Sequence, residues 1–440
     1  MVPAEGWHTT NAASPKRPKM LRRCCSATRS RPALASARLA RRCLSTQPIA
    51  HDAYVSRHEP VTSLLEEEAL MREAAARFAA EEIMPRVSAM DEASEMDPEL
   101  IRAIFDSGFM GVEVGEEHGG SGSSFTAACL VIEEFAKADP AVSVMCDIHN
   151  TIINNTFSMW ASQALKDEWL PRLATDTLGA FALSESGSGS DAFALKTTAR
   201  RDGGDYVLEG EKMWISNSKE AGVFLVMANA EPAAGYKGIT CFVVPAGTPG
   251  LTVGEKEDKL GIRASSTCPV RLEGVRVPKT AILGERGKGY KYAIEILNEG
   301  RIGIGAQMVG LAQGALDRTL PYLHQRTQFG TPIADFQGVQ HQLGQCATEL
   351  EAARLLVYNA ARMKEAGVPV VKEAAMAKLF SSQVAERTAS RCIELLGGVG
   401  FTKAFGVEKL YRDAKIGAIY EGTSNIQLNT IAKLFSAEYR

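Results

Sequence analysis

The hydrophobic and polar positions of this chain change their period twice along its 440 residues, which predicts three structural stretches. In the first, residues 58–176, apolar side chains recur at the spacing of an α-helix. The segment ALMREAAARFAAEEIMPRV places four apolar residues on one face of a predicted helix: Leu70, Ala74, Phe78 and Ala79. Because proline lacks an N–H and clashes with the preceding turn, Pro85 is expected to end this helix.

The second stretch, residues 177–288, consists of short β-rich pieces separated by Gly, Pro and Asp. The pieces are TTARR, YVLEGEKMWIS, GVFLVMANA, GITCFVVPA and VRLEGVRVP. This punctuation predicts an antiparallel sheet or barrel.

The third stretch, residues 289–440, returns to the helical period and contains one regular seam. The seam steps alternately by three and four residues through Phe336, Val339, Leu343, Cys346, Leu350, Ala353, Val357 and Ala360. Such a heptad pattern predicts a helix packed along its length in a bundle, which Gly367 and Pro369 are expected to end. Strands between two helical blocks predict an α+β protein: a helical amino-terminal domain, a central antiparallel β domain and a carboxyl-terminal helical bundle.

The amino-terminal residues differ in composition from the rest of the chain. Between Met20 and Ala50 there are seven arginines and no acidic residue, with Ser and Ala in the gaps. Because this composition is typical of a mitochondrial transit peptide, residues 1–48 are expected to direct the protein to the mitochondrial matrix. A disordered basic tail is the alternative. A nucleic-acid-binding arm is not favoured, since no aromatic residue interleaves with the arginines.

The overall composition excludes several classes of function. The net charge of -3 gives no reason to expect nucleic-acid binding, and apolar runs such as GVFLVMA are too short to span a bilayer. The nine cysteines lack CxxC spacing and the seven histidines form no HExxH or HxH pattern, so neither a disulfide framework nor a metal site is expected. No Rossmann glycine motif, P-loop or GxSxG elbow is present.

Four motifs carry the candidate chemistry: FALSESGSGSD at 181–191, KMWIS at 212–216, ELLGGVGF at 394–401 and IYEGTSNIQ at 419–427. Small residues in the first would let a ligand approach the backbone N–H groups closely. The last places a carboxylate beside a glycine, just before good N-cap residue types. Each also has a simpler interpretation: a surface loop, a buried core tryptophan, a helix C-cap with a turn, and an acid at a helix start.

In their order and spacing, the four motifs resemble the acyl-CoA dehydrogenase family over nearly all of the chain after residue 60. The runs LGIRASSTCP at 260–269, GYKYAIEILNEGRIGIGAQM at 289–308 and RDAKIGAIYEGTSNIQLNTIAK at 412–433 are similar to members that act on short, branched acyl chains. The resemblance implies the three-domain fold, a non-covalently bound FAD, a homotetramer and electron transfer to electron-transferring flavoprotein. It also implies α,β-dehydrogenation of a 2-methylbutyryl-like acyl-CoA.

The resemblance further implies which residues contact each ligand. Those expected to line FAD are Phe181, Ala182, Leu183, Ser184, Glu185, Ser186, Gly187, Ser188, Gly189, Ser190, Trp214, Ile215, Ser216, Thr423, Ser424 and Asn425. Those expected to reach the FAD of a neighbouring subunit are Arg326, Gln337, Glu394, Leu395, Leu396, Gly397 and Gly398. Those expected to contact acyl-CoA are Ser190, Tyr236, Tyr290, Asn298, Glu299, Gly300 and Arg301. The flavin loop departs from the commoner family form, which has Pro and Ala after the Glu, because Ser186 and Ser188 stand there.

Glu421 is expected to be the base that removes the α-proton of the thioester. That proton is very weakly acidic, so the carbonyl oxygen needs hydrogen-bond donors, which the family supplies from the N–H of the catalytic Glu and a ribityl hydroxyl of FAD. The flavin accepts the β-hydrogen from the opposite face. Closure of the site is expected to raise the pKa of Glu421 modestly, against the effect of the adjacent helix N-terminus.

Glu299 is the rival base. Some relatives place the catalytic Glu directly before the Arg of the NEGR run, but here Gly300 holds that position. Glu299 lies one residue away, about 100° around a helix. We therefore expect Glu299 to be a binding or structural residue.

Several alternatives remain open from the sequence. Butyryl-CoA and isobutyryl-CoA are alternative substrates, since one methyl group in an apolar pocket discriminates by only roughly 1–3 kcal/mol. An acyl-CoA oxidase would use the same base and flavin, but such chains usually carry a second carboxyl-terminal helical domain, which is not expected here. A family member that binds flavin or acyl-CoA without catalysis would be expected to lack the base. A purely structural helical protein would leave the four motifs unexplained.

Overall fold

The computed structural model describes residues 60–440, so the transit peptide predicted at 1–48 lies outside the described residues. Its α-helices are α1 (Glu66–Phe78), α2 (Val87–Ala93), α3 (Pro98–Asp106), α4 (Phe125–Ala138), α5 (Pro140–Asp147), α6 (Asn155–Trp160), α7 (Gln163–Thr175), α8 (Gly289–Gln325), α9 (Gln337–Glu365), α10 (Val371–Leu396), α11 (Val407–Ala414) and α12 (Ser424–Ala437). Its strands are β1 (Gly179–Ala182), β2 (Thr198–Asp202), β3 (Asp205–Ser216), β4 (Val223–Asn229), β5 (Ile239–Pro245), β6 (Leu251–Val253), β7 (Thr267–Pro278), β8 (Ile282–Leu283), β9 (Thr327–Gln328) and β10 (Thr331–Pro332). The predicted α+β class, with a sheet between two helical blocks, is confirmed.

The chain after α1 shows that the predicted helix end at Pro85 is wrong. The helix widens into a π-turn at Ala79–Ile83, tightens into a 3₁₀ turn at Met84–Arg86 and continues as α2. These changes of pitch accommodate a residue that has no N–H to donate to the preceding turn. The helical path ends instead at Ser94, which adopts a left-handed conformation.

Of the four residues predicted on the inward face of this first helix, Ala79 is buried and Ala74 and Phe78 pack against the core, so the prediction is wrong only for Leu70. Leu70 is 61% exposed, whereas Ala75 and Ile83 are fully buried. On the inward face stands Glu68, whose carboxylate receives two hydrogen bonds, of 2.5 and 2.6 Å, from the Arg362 guanidinium. The inward face of α1 therefore includes the Glu68–Arg362 ion pair, which a hydrophobic pattern does not show.

Strands β1–β8 form one sheet in the order β6-β7-β3-β2-β4-β5-β8, with β1 paired to β4. All five β-rich pieces predicted from the sequence are strands of this sheet. The pairs are antiparallel as expected, except that β4 runs parallel to β1 and touches β2 in parallel at one position.

Strand β4 forms the wall between two hydrophobic cores. Leu225 and Met227 pack into the core shared with the helices, whereas Phe224 and Val226 pack into a second core within the sheet region. Alternate side chains of a strand point to opposite faces, so a strand covered on both faces has a continuous apolar sequence. The run GVFLVMA owes its composition to this position.

The carboxyl-terminal helices surround α8, which packs against α10, α4 and α9. The predicted heptad seam lies on α9, where its last five members are buried: Cys346, Leu350, Ala353, Val357 and Ala360. The seam prediction is confirmed for this part of α9. Gly367, with φ at +66°, follows the helix end as expected.

A buried charge cluster connects the amino-terminal, middle and carboxyl-terminal regions. Lys409 donates hydrogen bonds to Asp139 at 2.7 Å and to Asp413 at 2.6 Å. Asp139 precedes α5 and accepts from the N–H of Ala141, while Asp413 accepts from the N–H of Ile262 in the middle region. The cluster therefore fixes the loop before β7 against helices from both ends of the chain.

Candidate active site

Glu421 lies in a tight turn that leads into α12. Two successive residues of this turn are left-handed, Glu421 at φ +50° and Gly422 at φ +86°. Thr423 then caps the helix, because its hydroxyl accepts a hydrogen bond from the N–H of Ile426 at 3.4 Å. A residue with a side chain rarely adopts a left-handed conformation, so the surrounding structure must hold Glu421 in it.

The carboxylate of Glu421 has an oxygen without a protein partner. Its Oε2 atom is buried and accepts no hydrogen bond from any residue in the described part of the chain. Burial raises the pKa of Glu421 to about 6, against the lowering effects of the Arg301 and Lys378 charges. The pKa is raised, as expected. The sequence predicted that the adjacent helix N-terminus would oppose this increase, whereas in the structure the charges of Arg301 and Lys378 oppose it.

Both cations are held by hydrogen bonds around the turn. Lys378, on α10, is fully buried and its Nζ donates to the carbonyl of Gly422 at 2.8 Å. Burial lowers the pKa of Lys378 to about 8, while the Glu421 charge acts in the opposite direction. Arg301, on α8, donates to Asn298 Oδ1 at 2.8 Å, and its Nε has no partner among residues 60–440. The structure thus brings the predicted Arg301 near Glu421, with the predicted Asn298 bound to that arginine.

Glu299 is held in a different set of contacts. Its Oε2 accepts a hydrogen bond from Asn155 at 2.6 Å and lies 3.4 Å from the ammonium of Lys364. The neighbouring Gly300 faces the site instead, since a Cβ built there would stand 3.0 Å from Glu421 Oε2. A carboxylate carried by position 300 would therefore reach the same space as Glu421, whereas Glu299 serves the packing between helices.

The loop predicted to line FAD follows β1. Phe181 is partly buried, and Ala182 and Leu183 are buried in the hydrophobic cores. Glu185 is also buried: its carboxylate accepts hydrogen bonds from Lys212 at 2.8 Å and from the N–H of Lys196 at 2.6 Å. These contacts anchor the loop from inside the protein.

The loop is further closed by its own backbone. The N–H groups of Glu185 and Ser188 each donate to the other's carbonyl at 3.0 Å, and the Ser188 hydroxyl donates to the carbonyl of Asp191 at 2.7 Å. The intervening Ser186 and Gly187 are exposed, as are Gly189 and Ser190. The serines that replace the commoner Pro and Ala therefore stand in a loop fixed by hydrogen bonds.

Trp214 contradicts the simple interpretation of a core tryptophan. It lies at an irregularity in the pairing of β3 with β7, has φ at +64° and is 57% exposed, while the next residue, Ile215, is buried. The N–H of Met213 donates to the carbonyl of Ser184 at 2.9 Å, so the tryptophan segment adjoins the predicted flavin loop. A β-bulge can redirect a side chain to the other face of a strand. Here the irregularity places the Trp214 indole at the surface, two residues before Ser216.

Two residues predicted to bind acyl-CoA meet in an aromatic cluster. The rings of Tyr236 and Tyr290 lie 5.1 Å apart at an angle of 83°. Phe193, just beyond the predicted flavin loop, lies 6.5 Å from Tyr236 and 6.3 Å from Tyr290. Sequence reasoning missed Phe193, which stands a few residues from Ser190 in an otherwise small-residue run.

The residues predicted to reach a neighbouring subunit lie at or just beyond the carboxyl ends of α8 and α10 and at the start of α9. Arg326 precedes β9 and Gln337 begins α9, and both are exposed. Glu394 is tied to Arg391 at 3.1 Å, and that arginine also binds Gln342 of α9 at 3.1 Å. Leu395 and Leu396 are partly or fully buried, and Gly397, at φ +63°, ends α10 beside an exposed Gly398. Within residues 60–440, no recorded hydrogen bond or ion pair joins Arg326, Gln337 or Glu394 to Glu421.

Thr423, Ser424 and Asn425, predicted to contact FAD, form the start of α12 directly after Glu421. Three polar residues near this turn were not found from the sequence: Asp147, Lys378 and Gln427. Asp147 is fully buried, and Glu421 is among the charges that raise its pKa, after burial itself. The sequence feature that could have identified Lys378 is its position as a lysine within an alanine-rich stripe of α10.

Across residues 60–440, no group of three His, Cys, Asp or Glu side chains is arranged to hold a metal ion. None of the helices in that range combines the length and the hydropathy needed to cross a membrane.

Models of known protein families match most of the chain. Models of the acyl-CoA dehydrogenase amino-terminal, middle and carboxyl-terminal domains match residues 65–177, 180–275 and 287–435. The mitochondrial short/branched chain specific acyl-CoA dehydrogenase of Rattus norvegicus is 56% identical over 380 residues, covering 86% of this chain and 88% of that protein. A probable short/branched chain specific acyl-CoA dehydrogenase of Dictyostelium discoideum is 57% identical over 376 residues, covering 85% and 91%.

Solved structures show the same similarity. Butyryl-CoA dehydrogenase from Megasphaera elsdenii matches with a TM-score of 0.83 and 36% identity, covering 85% of this chain and 99% of that one. A glutaryl-CoA dehydrogenase from Mycobacterium smegmatis, in complex with FADH2, matches with a TM-score of 0.81 and 30% identity, covering 85% and 95%.

Proposed function

This chain belongs to the acyl-CoA dehydrogenase family, and from that premise we propose that Glu421 is its catalytic base. The observation that carries the proposal is the Glu421 carboxylate, whose Oε2 is buried without a partner in residues 60–440 and whose pKa is raised to about 6. Such a base is ionised at neutral pH yet retains enough proton affinity for general-base catalysis. The reaction is the α,β-dehydrogenation of an acyl-CoA, with Glu421 accepting the α-proton.

The backbone around Glu421 supports the second requirement of this reaction. Removal of the α-proton places negative charge on the thioester oxygen, which hydrogen-bond donors must stabilise. In residues 60–440, no backbone hydrogen bond uses the N–H of Glu421 as donor, so that N–H is free to point to a ligand. The charges of Arg301 and Lys378 favour the ionised carboxylate before proton transfer.

The residues present fit FAD, the cofactor of the family, which when bound supplies the acceptor for the β-hydrogen. A Cβ at Gly187 or Gly189 would meet nothing within 4 Å, so the loop has an open outer face. Trp214 offers an exposed aromatic surface beside this loop, and the start of α12 offers N–H groups. We assign residues 181–190, 214–216 and 423–425 to this cofactor.

We assign the exposed Arg326, Gln337 and the 394–398 segment to the FAD of a neighbouring copy in a homotetramer. Arg326, Gln337 and Glu394 are exposed, and within residues 60–440 none of them makes a hydrogen bond or ion pair with Glu421. These two observations support a role toward another subunit. Phe329, which is 98% exposed between β9 and β10, adds an apolar side chain to the same surface.

The substrate we propose is a short acyl-CoA with a 2-methyl branch, such as 2-methylbutyryl-CoA. The two relatives compared above are both named for short/branched chain specificity, and they share 56% and 57% identity with this chain. Ser190, Tyr236 and Tyr290 are assigned to the CoA portion, and Asn298 and Arg301 to the region around the thioester. Glu299 keeps the structural role that its partners indicate.

Electrons would pass from the reduced flavin to electron-transferring flavoprotein in the mitochondrial matrix. The Arg-rich leader and the mitochondrial relative support this location.

Anaerobic bleaching of the bound flavin by a panel of acyl-CoAs tests this function. We expect 2-methylbutyryl-CoA to reduce the flavin faster than isobutyryl-, butyryl- or hexanoyl-CoA. Equal or faster reduction by hexanoyl-CoA would contradict the branched-chain assignment, and no reduction by any of the four would contradict the dehydrogenase itself. Rapid formation of hydrogen peroxide under air would indicate an oxidase.

A further inference from the structure

The turn that carries Glu421 is held in place by two side chains that have no assigned role. Glu421 and Gly422 are both left-handed, at φ +50° and +86°. Only the second is a glycine, so the Glu421 conformation persists only if other groups determine it. The hydrogen bonds made by the carbonyls of these two residues therefore matter for where the carboxylate points.

Gln427 binds both carbonyls. Its side chain is fully buried, and its Nε2 donates to the carbonyl oxygens of Glu421 and Gly422, each at 2.9 Å. A Cβ on residue 422 would stand 2.8 Å from that nitrogen, so any larger residue there would displace the amide. Gly422 is thus needed for the contact with Gln427 as well as for its own φ.

This contact is not helix capping. Thr423 already caps α12 by accepting from the N–H of Ile426. Gln427 reaches back from the first turns of the helix past that cap to carbonyls that precede the helix. Its hydrogen bonds therefore act on the turn, and a helix of this sequence does not require them.

Lys378 approaches the same turn from the opposite helix. It is fully buried on α10, and its Nζ donates to the carbonyl of Gly422 at 2.8 Å. The carbonyl of Gly422 thus receives one hydrogen bond from α10 and one from α12. Burying an ammonium group is costly, and no carboxylate hydrogen-bonds to this one within residues 60–440, so its retention in an alanine-rich stripe requires a reason.

We propose that Lys378 and Gln427 are positioning residues that hold the Glu421–Gly422 turn in its left-handed form, so that the Glu421 carboxylate stands against Gly300 and beside Arg301. The inference rests on the proposed role of Glu421 as base. Gln427 acts through geometry alone, whereas Lys378 adds a positive charge. The two residues should therefore be separable by experiment.

The charged groups around Glu421 allow the roles of Lys378 and Gln427 to be distinguished by the pH dependence of flavin reduction. Arg301 on α8 and Lys378 on α10 favour its ionised form, and Asp147 on α5 and the neighbouring Tyr420 are the other titratable groups coupled to its charge. Lys378→Met removes one of two cations, so the pH midpoint of flavin reduction should move upward. Gln427→Met removes two donors without changing charge, so that midpoint should stay in place.

The experiment uses the FAD-loaded, full-length protein and measures anaerobic flavin reduction by 2-methylbutyryl-CoA as a function of pH. Misplacement of a reacting group by about 1 Å can cost on the order of 100-fold in rate. We therefore expect both Gln427→Met and Lys378→Met to lower the limiting reduction rate by roughly 10- to 100-fold. The Kd for the enoyl-CoA product, measured by titration, should change much less than the rate, because the CoA portion is assigned to Ser190, Tyr236 and Tyr290, which lie outside the turn.

Gln163→Met and Lys433→Met are the matched controls, since both residues are exposed and neither contacts the turn. FAD content and thermal unfolding are measured first for every variant. If Lys378→Met does not fold, Lys378→Arg replaces it. This variant keeps the charge, so a lowered rate with an unmoved pH midpoint is the expected result.

Wild-type rates and pH midpoints in folded Gln427→Met and Lys378 variants would overturn the inference. Loss of rate in parallel with loss of FAD or of folding, with an unchanged rate per bound flavin, would also overturn it, because the residues would then be only structural. If the wild-type protein itself reduced no flavin with any acyl-CoA, the proposed function would fail, which is a distinguishable result.

Discussion

Around Lys409, one ammonium group donates hydrogen bonds to two buried carboxylates; around Glu421, neither of two neighbouring cations hydrogen-bonds to the carboxylate within residues 60–440. Lys409 binds Asp139 at 2.7 Å and Asp413 at 2.6 Å, and these charges raise its pKa even though burial opposes this. Glu421 instead keeps a buried Oε2 without a partner in residues 60–440. Its pKa is raised to about 6, and that of Lys378 is lowered to about 8.

The difference shows how the same residue types serve stability in one place and reactivity in another. The Lys409 cluster joins helices to the loop at Ile262, because its ammonium group bridges two carboxylates and Asp413 also binds the N–H of Ile262. The Glu421 turn is fixed through its backbone carbonyls, which leaves the carboxylate oxygen available for a proton. A group that reacts has to be positioned without being neutralised by its neighbours.

Replacing Glu421 with Gln should give the largest effect. The amide cannot accept the α-proton, so the anaerobic reduction rate should fall roughly 100- to 10,000-fold, the usual contribution of a general base. FAD content and thermal stability should remain, because Oε2 has no internal partner to lose. Normal turnover in a Glu421→Gln protein that binds FAD would show that the base is another residue.

Lys409→Met should give the largest effect on folding. It leaves Asp139 and Asp413 buried without their cation, which should lower the free energy of unfolding by about 3–5 kcal/mol in urea denaturation. The control is Lys403→Met, whose exposed ammonium lies 3.6 Å from Glu92 and which should cost less than about 1 kcal/mol. Equal losses in the two variants would mean that the buried cluster is no stronger than a surface pair.

The pH dependence of the reaction should follow Glu421. Its pKa of about 6 means that kcat/KM should fall about tenfold for each pH unit below that value, as the base becomes protonated. Protonation of Glu421 has the opposite effect on the stability of the folded state. A carboxyl with a raised pKa binds its proton more tightly when folded, so this group favours the folded state as pH falls from about 6 toward 4.5. A kcat/KM profile flat down to pH 5 would contradict the assignment.

Glu299→Gln should have the smallest effect on activity. The carboxylate of Glu299 is bound by Asn155 and Lys364, and we propose only a structural role for it, so the reduction rate should remain near the wild-type value. Stability should fall by about 1–3 kcal/mol, as expected when a buried charge-assisted hydrogen bond is weakened. A loss of rate as large as that of Glu421→Gln would reverse the assignment of the two glutamates.

Much of the fold could be predicted because periodicity reports burial. The five β-rich pieces became strands, and the heptad seam became the buried side of α9. The first helix was less predictable, because the inward-facing Glu68 depends on Arg362, which lies nearly 300 residues away. Pro85 did not stop the chain, since a π-turn and a 3₁₀ turn absorbed it.

The candidate site was predictable to the extent that its residues stand in recognisable motifs. Glu421, Arg301 and Asn298 belong to such motifs, and the structure brings them together. Trp214 was ambiguous, because a tryptophan on a strand is usually buried, and only the pairing irregularity in β3 exposes it. Lys378 belongs to no motif, and Gln427 is the last residue of the IYEGTSNIQ motif without an expected role, so the role of both depended on which carbonyls they reach.

The sequence by itself determined the class of fold and the family and supplied Glu421 as the candidate base, because period, motif order and residue chemistry are all local properties. The sequence indicated that position 300, and not Glu299, would face the site, but only the tertiary structure shows how closely Gly300 approaches Glu421. It also decided that α10 reaches the Glu421 turn, because Lys378 donates to the carbonyl of Gly422, which lies 44 residues further along the chain. Those facts depend on how helices α8, α10 and α12 pack, and packing brings together side chains whose spacing along the chain carries no signal.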